Sequence, residues 1–117
     1  MSKGYQVIEP RMLDALFSHP IHDVFAVAIL TWLCGLLRLE FEEYLDKVEF
    51  DVICVTYMGS YPAIGIHYKN KSLQDIGPLV EATIDRYLQG KSVLELVGFI
   101  VKDEIDWKKE AARILAG

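Results

Sequence analysis

The chain has 117 residues, enough for a single globular domain with an apolar core and no disulfide bridges. Its 12 basic and 17 acidic residues give a net charge of −5, which argues against a general nucleic-acid-binding protein. Hydrophobic residues make up 52% of the chain, a high share for a small soluble protein. We therefore expect some apolar surface to face a partner, and a homodimer is the simplest form of such an assembly.

The first residues, Met1–Tyr5, lack the apolar run of a secretory signal peptide. Cys34 and Cys54 lie among apolar neighbours, and their spacing matches no metal or redox motif, which indicates reduced thiols. The longest run without a charge, Val24–Leu37, has 14 residues, whereas a membrane span needs about 20. These features predict a cytoplasmic protein that has no cofactor and no contact with a membrane.

The run Val24–Leu37 predicts a helix that is buried on nearly all sides. We expect the helix to begin near Pro20, because proline is tolerated in a first turn, and to continue to Asp46 with only one apolar face in its second half. Gly35 lies inside this helix and predicts either a bend or a close helix crossing. Before it, residues 5–9 alternate and could add an edge strand, and Pro10 opens a short helix that ends near Phe17.

Residues 48–57 and 63–69 are rich in strand-forming residues and are separated by a five-residue turn sequence that includes Pro62. If Tyr57 lies opposite Ala63, Ile53 pairs with His67 and Asp51 with Lys69. The other face of the hairpin is then almost wholly apolar and should pack on the core helix. It contains Phe50, Val52, Cys54, Thr56, Ile64, Ile66 and Tyr68.

A helix should begin at Pro78 and end before Gly90, since glycine commonly follows the last helical residue. Residues 92–101 are ambiguous: helical spacing and a capping box of Ser92 with Glu95 favour a helix, whereas β-branched residues and Gly98 favour a strand. We favour the helix, and expect a final one that ends near Ala116. The predicted fold is α+β, with a long core helix and several shorter helices packed on one face of a small antiparallel sheet built on a central β-hairpin.

Two short motifs have some features of ligand sites. His19, His22 and Asp23 could bind zinc, but side chains at a proline-initiated helix start need not converge, and no fourth ligand is nearby. Gly90 begins a Gly-Lys-Ser sequence that can end a phosphate-binding loop, but Asp85 stands where that loop requires glycine. We predict no metal site, and a polar helix start is the simpler interpretation of the histidines.

His67, Tyr57 and Tyr61 are predicted on or beside one face of the hairpin, where a titratable group next to phenols could form a ligand pocket. No nucleophile motif accompanies them, because Ser60 lacks the glycine pattern of a nucleophile elbow. A hydrogen-bonded histidine within a sheet is the simpler interpretation.

The most informative feature is a run of acidic residues interrupted by Lys47 alone. It could dock a basic protein, because clustered charge accelerates association. It could equally be a solvated face that keeps an apolar chain soluble. The run consists of Glu40, Glu42, Glu43, Asp46, Glu49 and Asp51.

Three functional hypotheses follow from these patterns. The first is a small acidic protein–protein interaction module, of the inhibitor or immunity type, that binds a basic partner through the acidic run. The second is a homodimeric small-molecule-binding protein or enzyme with a pocket near Tyr57, Tyr61 and His67. The third is an assembly subunit without a site of its own. No catalytic motif is present, so we favour a protein that is not an enzyme.

Overall fold

The computed structural model describes residues 4–13, 23–56, 60–69, 75–92, 95–96 and 98. Strand β1 covers Gln6–Ile8, helix α1 Asp23–Glu40, strand β2 Val48–Thr56, strand β3 Ser60–Tyr68 and helix α2 Gly77–Leu88, with a 3-10 helix at Glu42–Tyr44 between α1 and β2. The three strands form one antiparallel sheet in the order β1-β3-β2. The α+β class with helices and a small antiparallel sheet is thus confirmed.

Three helices are delimited within the described ranges, fewer than the several shorter helices that the sequence predicted. Residues 11–13 are helical, in agreement with the helix expected after Pro10, but the rest of that helix lies outside the described residues. The final helix predicted to end near Ala116 also lies outside them. Glu95, Leu96 and Gly98 are helical, and Ser92 Oγ accepts a hydrogen bond from the Glu95 N–H at 3.2 Å, which supports the helical interpretation of this segment.

The alternating residues near the N-terminus form the predicted edge strand. β1 pairs with β3 through Gln6 opposite Ile66, Val7 opposite Gly65 and Ile8 opposite Ile64. This strand supplies the third member that a two-stranded hairpin needs to be stable in water. Strand β3 therefore lies in the centre of the sheet, and β2 forms its other edge.

The predicted hairpin register was wrong by four residues. The structure places Ile53, not Tyr57, opposite Ala63, and it places Glu49, not Ile53, opposite His67. The shift is an even number of residues, so every side chain stays on its predicted face.

The difference in register comes from Pro62, which the sequence pattern assigns to the turn. In the structure Pro62 belongs to β3 and lies opposite Cys54, beyond the residues of β3 that pair with β1. A residue without an N–H is tolerated there because no ladder hydrogen bond is lost. Thr56 pairs with Ser60, so the two strands are joined by residues 57–59 rather than by a five-residue loop.

Helix α1 packs on one face of the sheet and contacts both β2 and β3. From the helix, Val27, Leu30 and Leu33 are completely buried. From the sheet, Phe50, Ile64 and Ile66 are buried on the even-numbered face that the sequence predicted to be apolar. Burial of each such side chain contributes about 1.5–3 kcal/mol, so this interface is a major source of stability.

Helix α1 ends at Glu40, not at Asp46 as predicted. The chain turns at Phe41, whose side chain is 4% exposed and lies 5.8 Å from the ring of Phe50. Phe41 still donates a helical hydrogen bond to the Leu37 carbonyl at 2.8 Å, and it lies four residues after the buried Leu37, so its side chain continues the core-facing side of α1. The 3-10 helix that follows is held by a hydrogen bond from the Tyr44 N–H to the Phe41 carbonyl at 2.9 Å.

The N-terminus of α2 is tied to the sheet by a small polar cluster. The Tyr68 hydroxyl donates to Gln6 Oε1 at 2.6 Å and accepts from the Ile76 N–H at 3.1 Å. Asp75 Oδ1 accepts from the Gly77 N–H at 2.8 Å, and this bond is the main reason why the pKa of Asp75 is lowered, with the Gln6 amide adding to it. Because each group has a partner, β1, β3 and α2 are fixed relative to one another.

Two glycine substitutions should change stability in opposite directions. A Cβ atom at Gly65 would lie 2.8 Å from Ile53 Cδ1 and 2.9 Å from Tyr5 Cδ1, so Gly65→Ala should lower the free energy of unfolding by about 1–3 kcal/mol. At Gly35 no described residue lies within 4 Å of that position, so no described helix crosses closely there, and Gly35→Ala should raise stability by up to about 1 kcal/mol. Urea unfolding of both variants tests this, and a change of the same sign in both would contradict it.

Asp75 should make stability depend on acidity. Its pKa is lower in the folded chain than its ordinary value of 3.8, so its bonds stabilise the fold above that value and are lost as the pH falls through the lowered pKa. Urea unfolding at neutral pH and near about pH 3 should show a smaller acid-induced loss in Asp75→Asn than in the wild type. Asp46→Asn is the control, because that exposed carboxylate makes no bond to a described residue. An equal loss in all three proteins would contradict the assignment.

Candidate functional site

The structure divides the acidic run into two groups, of which the first is engaged within the fold. Glu40 ends helix α1, and its two carboxylate oxygens accept hydrogen bonds from α2: Oε1 from Arg86 Nη2 at 2.9 Å and Oε2 from the Tyr87 hydroxyl at 3.0 Å. The Arg86 guanidinium also lies 5.7 Å above the Tyr87 ring. Glu40 thus links the two helices, and its charge is matched within the chain.

Glu49 and Asp51 on β2 also have partners. The sequence predicted Asp51 opposite Lys69, but Lys69 Nζ lies 3.8 Å from Glu49 Oε1. Asp51 lies opposite Gly65 and accepts a hydrogen bond from the Tyr5 hydroxyl at 3.0 Å, and Arg38 Nη2 lies 3.6 Å from its Oδ1. The observed register explains this exchange of partners. Lys69 follows Tyr68, which lies opposite Val48, so its side chain is near Glu49 and not Asp51.

The remaining three acidic residues form the second group. Glu42, Glu43 and Asp46 are exposed, and within the described residues their carboxylates form no hydrogen bond or ion pair. Their backbone is nevertheless fixed, because the Leu45 N–H bonds to the Glu42 carbonyl at 3.2 Å and the Lys47 N–H to the Tyr44 carbonyl at 2.8 Å. We call these three residues the acidic turn.

The acidic turn has the composition of a cation-binding surface but not of a metal site. No group of three or more His, Cys, Asp or Glu side chains in the described part of the chain could hold a metal ion. Exposed carboxylates on an ordered turn can pair with ammonium or guanidinium groups of another protein. Carboxylates in the last turn of a helix oppose its dipole, but α1 ends at Glu40, so the acidic turn lies outside that last turn.

The predicted ligand pocket involves residues that lie apart. Tyr61 and His67 share one face of β3, but six residues of extended strand separate them by about 20 Å. His67 Nδ1 is 3.1 Å from the Gly4 carbonyl oxygen, and its ring is 5.7 Å from the Tyr5 ring, so it holds the segment before β1 against the sheet. Tyr57 lies outside the described residues, and a pocket formed with it stays a prediction. The side chains of His19, His22 and Asp23 also lie outside the described part of the structure.

Three cationic or phenolic partners were missed by sequence reasoning. Arg38 donates to the Phe50 carbonyl at 2.7 Å and lies beside Asp51 on the edge of the sheet. Arg86 and Tyr87 meet Glu40 from 46 and 47 residues away in sequence. The position of Arg38 in the last turn of α1, where a basic residue is favoured, was the one local feature that could have drawn attention to it. The long-range contacts have no sequence signature.

Both cysteines are free thiols, as predicted. Cys34 is 1% exposed, and burial raises its pKa to about 12. Cys54 on β2 is half-buried. The buried thiol is therefore a core residue rather than a nucleophile.

Comparisons of the chain with known protein families, with curated proteins and with solved structures find no match. None of the described helices is both long and apolar enough to cross a membrane. Function must therefore be inferred from the surface of this structure alone.

The link between the helices should be visible in the ionisation of Tyr87. Its pKa is raised by burial first and then by the hydrogen bond to Glu40 and the negative charge of that carboxylate, while Arg86 lowers it. Glu40→Gln should therefore lower the pKa of Tyr87 towards its ordinary value of 10.0. Alkaline titration of Tyr87 by NMR measures this, with Glu43→Gln as the control. An unchanged or higher pKa in Glu40→Gln would contradict the link.

Proposed function

We propose that this protein is a small acidic interaction module that binds a basic protein partner through the acidic turn, in the manner of an inhibitor or immunity protein. The observation that carries the proposal is the division of the acidic run. Glu40, Glu49 and Asp51 are engaged within the fold, whereas Glu42, Glu43 and Asp46 are exposed and form no bond to any described residue.

The backbone of the acidic turn supports a docking role. It is fixed between helix α1 and strand β2 by hydrogen bonds, so the carboxylates are held on an ordered segment. A pre-organised surface loses less conformational entropy on binding than a mobile one. We infer that the complete helical layer, with α1 as its long core helix and shorter helices around it, holds this turn at one corner of the fold.

Charge alone would give only a weak complex. An exposed ion pair contributes about 0–1 kcal/mol, so three such pairs cannot hold a specific partner by themselves. Leu39 supplies apolar surface close to the turn in sequence, since its side chain is 74% exposed and it lies three residues before Glu42. A partner that covers Leu39 and places lysine or arginine side chains around it would have an apolar centre with a charged rim, the usual organisation of protein interfaces.

The partner is tested by capture from lysate of the native host at low and at high salt, followed by measurement of affinity for the captured protein. We expect a basic protein that is retained at low salt and released at high salt, because screening weakens exposed charge pairs. The triple variant Glu42→Lys, Glu43→Lys, Asp46→Lys should bind at least about tenfold more weakly, chiefly through slower association.

The matched control reverses three acidic residues elsewhere, Glu9, Glu81 and Glu95, and so produces the same net charge. If binding depends on the acidic turn rather than on overall charge, this control should retain most of the affinity. Equal loss in both triple variants, or no loss in the first, would overturn the assignment of the site. Leu39→Ala should weaken binding in the same assay, with the exposed Leu79 on α2 as the control for truncation.

A further inference from the structure

Strand β2 is an edge of the sheet, and its hydrogen-bonding pattern determines which backbone groups face outwards. The Lys69 N–H donates to the Lys47 carbonyl at 2.8 Å, which makes this pair a hydrogen-bonded one. Such pairs alternate along an antiparallel ladder, so Glu49, Asp51, Ile53 and Val55 bond to β3. The N–H and C=O groups of the even-numbered residues, from Val48 to Thr56, therefore point away from β3, to the edge of β2 that no other described strand covers.

The two halves of this edge differ. In the first half, Arg38 donates to the outward carbonyl of Phe50 at 2.7 Å, and Glu49 and Asp51 place charges beside it. In the second half, no described residue bonds to the outward groups of Val52 or Cys54, and both residues are half-buried. The second half has no lysine, proline or bulge, which are the usual means of protecting an edge strand.

We propose that residues 52–56 of β2 pair with the same residues of a second copy of this chain, antiparallel about a two-fold axis at Cys54. This interface lies beyond the proposed function, because it uses β2 and not the acidic turn that precedes it. The pairing brings Val52 opposite Thr56 of the partner subunit and continues the two three-stranded sheets into one six-stranded sheet. Outward N–H and C=O groups then satisfy one another, so they no longer depend on solvent for hydrogen-bond partners.

The distribution of charge favours a second copy in this register. The segment Val52–Thr56 contains no charged residue, so its own copy meets it without an unpaired or repelled charge. Asp51 falls outside the paired residues, and the bond from Arg38 to Phe50 prevents the ladder from extending towards the acidic end. A register centred further towards Val48 would bring the acidic residues of the two copies together, which is unfavourable. On the outer face, Ile53 and Val55 of both copies would form one apolar strip.

Sedimentation velocity and a lysine on either edge test the interface. We expect the wild type to dimerise, and Val55→Lys to weaken the dimer by about tenfold or more, because the ammonium group would lie against apolar residues of the second copy. Val7→Lys is the matched control, since Val7 is half-buried on the same face but belongs to β1, the opposite edge. Circular dichroism checks that both variants fold. A wild type that stays monomeric, or a dimer weakened equally by both variants, would overturn the proposal.

Crosslinking of the otherwise native chain tests the register. Residues in a hydrogen-bonded antiparallel pair have Cα atoms about 5.5 Å apart, within the range that a disulfide spans. Copper-catalysed air oxidation should therefore join Cys54 to Cys54 of the partner subunit. The product should form in Cys34→Ala and be absent in Cys54→Ser. If the protein dimerises but gives no crosslink through Cys54, the proposed pairing is wrong. A dimer formed through another surface would give this result.

Discussion

The fold depends on burial of the charge-free side of helix α1 against the even-numbered face of the β2–β3 hairpin. Completely buried residues of the helix, such as Leu30 and Leu33, meet Ile64 and Ile66 of the central strand in one apolar cluster. The side-chain period of a strand is two, so this contact fixes which residues of the sheet face the helix and which face away. Even a four-residue error in register therefore leaves the core unchanged.

The same burial explains how the acidic residues are divided. Phe41 and Val48 are both buried and anchor the two ends of the segment between α1, which ends at Glu40, and β2, so the chain turns between them. Carboxylates on either side of the turn then lie next to elements that carry a cation, Arg86 on α2 for Glu40 and Lys69 after β3 for Glu49. Those on the turn itself are exposed and bond to no described residue. The exposed charge is thus a consequence of where the chain turns as well as of its composition.

The fold presents two polar surfaces that differ in physical character, the acidic turn and the second half of the β2 edge. The acidic turn consists of fully solvated charges, whose interactions are weak, fast and sensitive to salt. The second half of the β2 edge presents backbone N–H and C=O groups, which are neutral and need hydrogen-bond partners at fixed spacing. A basic protein suits the first surface and another strand suits the second. The acidic turn precedes β2 and the proposed pairing uses its second half, so both surfaces can be occupied in the same molecule.

The sequence by itself determined the α+β class, the edge strand near the N-terminus, the apolar face of the hairpin and the free cysteines. These follow from local periodicity and from the burial preferences of single residue types, which do not depend on distant parts of the chain. It also identified all six acidic residues. It did not distinguish those that are paired from those that are not.

Only the tertiary structure decided the register, the end of α1 and the partners of Glu40 and Asp51. Proline is common in turns, so the sequence assigns Pro62 to one. Only the structure shows that β1 is too short to reach Pro62, which is why a residue without an N–H fits in the central strand. The contact of Glu40 with Arg86 and Tyr87 joins residues 46 and 47 positions apart, and that of Asp51 with Tyr5 joins residues 46 apart. Periodicity has no information at such distances, because the pairing depends on how helices and strands pack and not on their individual patterns.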